Sequence, residues 1–168
     1  DTLTSRNNLA GAYESAGRLD QAIPLYEQVA ADSTRILGDN HPQTLTSRNN
    51  LAYAYYSAGR LDEAIPLYEQ VAADSARILG DNHPQTLTSR NNLANAYYSA
   101  GRLDEAIPLF EQVAADSARI LGDNHPDTLA SRKVLILVYL LAGRPDDAEA
   151  LFGPPSDPEG MEADHTDS

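Results

Sequence analysis

Apolar residues recur along the chain at three- and four-residue intervals, in two phases that alternate regularly. Between Thr44 and Ala58, the positions Leu45, Leu51, Ala52, Tyr55 and Ala58 fall on one helical face and predict a helix. Gly59 should end it, because glycine enters the left-handed C′ conformation without a Cβ penalty. A second run through Leu67, Tyr68, Val71, Ala72, Ser75, Ile78 and Leu79 predicts a longer helix that stops at a second C′ glycine, Gly80. Asp62 is its expected N-cap, with Glu63 and Pro66 in the first turn. In the connector that follows, Asn82 is the expected next N-cap, paired with Gln85, and Pro84 lies inside the opening turn. Ala52 and Ala64 are small enough to let the two helices approach closely, with Tyr55, Leu61 and Tyr68 around that contact.

This unit repeats every 42 residues. Residues 43–84 and 85–126 differ only at Tyr53/Asn95 and Tyr68/Phe110, and residues 1–42 form a third copy. Residues 127–152 are a degenerate C-terminal copy expected to act as a cap. Residues 153–168, acidic, rich in Pro and Gly and poor in apolar side chains, read as a disordered tail. Such self-similarity predicts an all-α solenoid of antiparallel helix hairpins, about three and a half units long, in which each hairpin buries its apolar face on the next. Asp1 opens the chain in mid-array, so the sequence reads as a segment or processed end of a longer one.

Charge narrows the possible partners. Asp and Glu number 25 against 12 Lys and Arg, a net charge of −13, which argues against nucleic acid and against anionic membrane surfaces. No apolar run reaches the roughly 20 residues of a membrane span, and cysteine is absent, which is compatible with a reducing cytoplasm. A cytoplasmic location is the expectation.

The order Leu51-Ala52, Tyr55, Gly59, Ala64, Tyr68, repeated as Leu9-Ala10 to Tyr26 and as Leu93-Ala94 to Phe110, resembles the tetratricopeptide repeat. The unit is eight residues longer than the usual ~34. With Arg-Asn-Asn-Leu-Ala, Gly-Arg-Leu-Asp-Glu-Ala and Leu-Gly-Asp-Asn-His-Pro, it is similar to the long repeats of kinesin light chain type and of bacterial arrays. The resemblance implies a right-handed superhelix, a segment of a larger bacterial signalling protein, and a scaffold that binds a peptide or protein on its concave face. Carried over residue by residue, that face presents Asn8, then Asn50, Tyr53 and Tyr56, then Asn92, Asn95 and Tyr98. Asparagine amides both donate and accept, so they suit an extended peptide backbone, and tyrosines supply contact area. The same amides could instead bond to neighbouring helices, the reading favoured for the row Asn7, Asn49 and Asn91. The Lys/Arg clamp with which some relatives hold a terminal carboxylate is missing from the first three copies; Lys133 stands alone.

His41, His83 and His125 recur beside Asp39, Asp81 and Asp123, but one pair per loop is too few ligands for a metal site, and turn capping accounts for them. Near-identical copies offer no unique nucleophile with its base, so catalytic residues, metals and cofactors are not expected. Arg48 and Arg90, with Arg60 and Arg102, are expected in ion pairs between helices or on solvated faces. In the fourth copy, Leu137, Leu140 and Leu141 make the helix apolar nearly all round, which predicts burial on more than one side, by the stub helix and tail or by another chain. Leu135, Val138 and Tyr139 should pack on the third hairpin, with Phe152 closing the stub. The rival function is end-to-end self-association into a homo-oligomer, with Leu137, Leu140 and Leu141 among the contacts.

Overall fold

The computed structural model describes residues 2–151, and all regular structure there is helical. Four hairpins follow one another: α1 (Leu3–Ser15) with α2 (Leu19–Leu37), α3 (Pro42–Ser57) with α4 (Leu61–Leu79), α5 (Pro84–Ser99) with α6 (Leu103–Leu121), and α7 (Pro126–Leu141) with α8 (Pro145–Ala150). Each helix packs on its neighbours in sequence, and α3 also touches α5. The residues assigned to a disordered tail, and Phe152, lie outside the described residues.

The tight turn forms as expected. Gly59 has φ +73°, its N–H bonds the Tyr56 carbonyl at 2.9 Å, and the Arg60 N–H bonds Tyr55 at 2.9 Å, a Schellman pair. The longer connector differs. Gly80 is the C-cap residue itself, at φ 91° and ψ 159°, a region that only glycine occupies freely. The N-cap of α5 is His83, not Asn82: its Nδ1 accepts the Gln85 N–H at 3.1 Å, and Pro84 is the first helical residue. His41 and His125 cap α3 and α7 in the same way, an acceptor role open only to the neutral imidazole. Asn82 instead accepts from Arg119 Nη2 at 2.6 Å, tying the connector to the next hairpin.

Two further expectations fail at the start of α4. Leu61 is drawn into the helix to pack against the core, so Arg60 is the N-cap and Asp62 lies inside the first turn without a capping bond. Pro66 is therefore beyond the first turn, and its missing N–H removes the i→i−4 bond to the Asp62 carbonyl on an exposed face. Arg60 holds this end differently, bonding the Glu63 carboxylate while lying 4.5 Å over the Tyr55 ring. The stack recurs at Arg18/Tyr13, Arg102/Tyr97 and Arg144/Tyr139.

The core runs the length of the array. Ala52 and Ala64 are fully buried at the seam of the second hairpin, and Tyr55 and Leu67 belong to both apolar clusters, which makes the core continuous. Hairpins also lock through polar groups. Ser33 pairs with Ser47 at 3.0 Å, Ser75 with Ser89 at 3.3 Å, and the Thr44 and Thr86 hydroxyls donate to the Gly38 and Gly80 carbonyls at 2.8 Å. Arg48 and Arg90 are inter-element pairs: Arg90 bonds Asp81 and lies 3.5 Å from Asp116. Tyr55, Tyr97 and Tyr139 each donate to a glutamate of the preceding hairpin, at 2.7, 2.6 and 2.6 Å.

Burial first, then the bond to that glutamate, pushes the hydroxyls of Tyr55, Tyr97 and Tyr139 up to about 12. Unfolded tyrosine ionises near ~10. Between those values the folded chain holds more protons than the unfolded one, so this stabilisation is complete below pH ~10 and declines as pH rises through the window. Melting temperatures recorded with tyrosinate absorbance should fall from pH ~10 upward; a flat profile there would contradict the assignment.

Candidate functional site

Side chains placed by sequence on the concave face come from α1, α3 and α5, and in the structure these helices reach across to one another. Asn50 Nδ2 donates to Asn7 Oδ1 at 3.0 Å, and Asn92 Nδ2 to Asn49 Oδ1 at 3.1 Å. The two asparagine rows thus form a ladder between hairpins, which fixes their spacing. Asn8 is exposed, and Val134 stands at the register where the next asparagine of the ladder would be. The Tyr56 and Ser99 hydroxyls meet at 2.9 Å, a further tie along the stripe.

Four of the seven concave-face residues converge on one place. Tyr53, Tyr56, Asn92 and Asn95, with Tyr68 beneath them, line a pocket of about 110 Å³. The rings of Tyr53 and Tyr56 lie 6.3 Å apart at 27°, and Tyr53 is 48% exposed. Asn95 Nδ2 donates to the Asn91 carbonyl at 2.9 Å, which settles its amide orientation, since a carbonyl can only accept. Tyr98 is exposed farther along the same helix and does not line the pocket.

Tyr68 was read from sequence as core alone, yet its hydroxyl edge opens on the pocket. Copy differences explain this. In the first hairpin Tyr26 donates to Glu14 at 2.9 Å; at the position of Glu14 the second copy has Tyr56, so Tyr68 has no such carboxylate; the third copy has Phe110. Burial, then the neighbouring Tyr53, Tyr56 and Glu14, push the Tyr68 hydroxyl well above its ordinary value. It remains a protonated phenol at neutral pH.

Leu137, Leu140 and Leu141 occupy the register of Asn95, Tyr98 and Ser99, so they continue the same stripe in apolar form. Burial on more than one side does not occur among the described residues: these leucines are 60%, 53% and 63% exposed, while Leu135, Val138 and Tyr139 pack on the third hairpin as expected. The stub α8 docks through Ala148 into that core and leaves the leucines open.

A larger cleft of about 690 Å³ lies among α5, α6 and α7, and sequence reasoning missed it. At this junction the hydroxyl locks of the earlier ones do not form: the buried Thr128 hydroxyl has no partner, and Ser131 donates to the Asp127 carbonyl of its own helix at 2.9 Å rather than pairing with Ser117 across the cleft. The signal was present as Val134, which replaces the ladder asparagine. No group of three metal-binding side chains occurs among the described residues, and no described helix is long and apolar enough to cross a membrane.

Comparisons with known proteins agree with this geometry. The profile of the tetratricopeptide repeat family matches residues 1–75, 49–116 and 92–153. The kinesin light chain nearly identical TPR-like repeats of Podosopora anserina are 40% identical, over 89% of this chain and 71% of that one, with a TM-score of 0.82. BtubC (BKLC) from P. vanneervenii superposes with a TM-score of 0.78 at 23% identity, over 99% of this chain and 70% of that one. A Rap protein complexed with Competence and Sporulation Factor gives a TM-score of 0.72 at 14% identity, over 90% of this chain and 42% of that one. No curated protein sequence matches the chain.

Proposed function

Because the chain belongs to the tetratricopeptide repeat family, whose fold supports protein-interaction scaffolds in general, we propose that it binds a peptide or protein partner along its concave stripe and carries no chemistry of its own. The supporting observation is the pocket in which Tyr53, Tyr56, Asn92 and Asn95 meet. At about 110 Å³ it is well below the roughly 300–1,000 Å³ of a small-molecule site and suits one side chain of a longer ligand. The exposed Leu137, Leu140 and Leu141 extend the stripe and suit an apolar end of the same ligand. The Rap protein of the same fold was solved in complex with Competence and Sporulation Factor.

A peptide array probed with the intact chain tests the reading. Tyr53→Ala and Tyr56→Ala should each weaken the selected peptides by about 2 kcal/mol while leaving the melting temperature within a few degrees. Asn50→Ala and Asn92→Ala should weaken binding but also remove one ladder bond each, about 0.5–1.5 kcal/mol of stability. Undiminished binding by both tyrosine variants would exclude the concave stripe.

End-to-end self-association is the second reading. It is favoured by Leu137, Leu140 and Leu141, each more than half exposed on α7. A sedimentation mass that rises with concentration, and reverts to monomer in Leu140→Glu, would support it over the first.

A further inference from the structure

We propose that the Tyr53/Tyr56/Asn92/Asn95 pocket accepts an arginine side chain of the partner, its guanidinium lying on the tyrosine rings and donating to the two asparagine carbonyl oxygens. This deepens the concave-face reading and rests on it.

The hydrogen-bond inventory carries the argument. Asn92 and Asn95 both spend a donor inside the protein, on Asn49 Oδ1 at 3.1 Å and on the Asn91 carbonyl at 2.9 Å. Each amide keeps its Oδ1, with two lone pairs, and one N–H, and the Tyr68 hydroxyl at the pocket floor keeps its O–H and lone pairs. Lone pairs outnumber donors on these side chains, which favours a ligand rich in N–H donors, and guanidinium has five.

Aromatic geometry agrees. Four tyrosines in this fold already carry an arginine at 4.5–4.8 Å over the ring, each supplied from its own hairpin turn. Tyr53 and Tyr56 carry none, and no basic side chain lines their pocket. A planar cation is attracted to such a face electrostatically.

Charge points the same way. The chain is −13, and the Glu14 carboxylate acts on the Tyr68 hydroxyl at the pocket floor; one of its oxygens takes the Tyr26 hydroxyl while the other is buried without a partner. A basic ligand is steered toward such a surface and an acidic one repelled.

The test uses the intact 15N-labelled chain titrated with three blocked tripeptides, Gly-Arg-Gly, Gly-citrulline-Gly and Gly-Glu-Gly. Citrulline keeps the shape of arginine and replaces its cation by a neutral urea. The arginine peptide should shift the side-chain amides of Asn92 and Asn95 saturably, with the citrulline peptide about tenfold weaker or more and salt weakening the arginine response. Asn95→Leu and Tyr53→Asn put in residues that stand at the same register in other copies, Leu137 and Asn95, so the fold should persist while the arginine response is lost. Equal responses to arginine and citrulline, or arginine shifts confined to the acidic loops around Asp39, Asp81 and Asp123, would overturn the assignment and leave the concave face standing. If no array-selected peptide moves any residue of the stripe, the concave-face reading falls as well.

Discussion

Leu93→Ala should destabilise the chain by about 2–5 kcal/mol, whereas Leu9→Ala should cost less than about 0.5 kcal/mol. The two leucines hold the same place in their repeats and have the same neighbours in sequence from two residues before to one after. Their surroundings differ. Leu93 is 6% exposed and packs in the cluster that contains Tyr68, Ala94 and Phe110, so its removal leaves a cavity that the neighbouring helices cannot fully close. Leu9 is 47% exposed, and water already reaches the space it would vacate. Urea denaturation of both variants measures the contrast. Equal midpoints would mean that the first hairpin is covered in solution.

Arg90→Ala is expected to cost about 1.5–3 kcal/mol, the range for charge-assisted hydrogen bonds. The Arg90 side chain is 10% exposed and joins Asp81 in the connector to Asp116 on α6, so its loss releases two acidic groups at once. Asp116, 16% exposed, keeps Arg119 at 2.7 Å, which limits the penalty. Arg60→Ala provides the control. Its partner Glu63 is three residues away, both side chains are more than 40% exposed, and water screens such a pair so that it adds little to stability. Raising the salt should narrow the gap between wild type and Arg60→Ala more than that between wild type and Arg90→Ala. If the two arginine variants unfold alike, Arg90 is not a lock between hairpins.

Several misplaced details share one cause. The sequence marks Asp62 and Asn82 as N-caps because their side chains favour that role in isolation, but the helices begin one or two residues elsewhere. Leu61 enters α4 because it can be buried, while His83 caps α5 and Asn82 turns outward to Arg119 of the next hairpin. At α4, burial outweighed a local capping preference worth about 1 kcal/mol. The fourth copy shows the same limit: apolar composition all round α7 predicts burial, yet Leu137, Leu140 and Leu141 stay open because the stub α8 covers another face.

Sequence alone determined the helices, their order, the glycine turns and the rows that form the core, because each depends on 3.6-residue spacing or on a single backbone angle. It also determined the 42-residue period, and with it a solenoid. Only the tertiary structure decided which of several identical residues are exposed, which asparagines pair, and where Tyr53, Tyr56, Tyr68, Asn92 and Asn95 enclose a pocket. The physical reason lies in the repeat itself: near-identical copies have near-identical local preferences, so differences between them arise from what the adjoining hairpin places against each side chain.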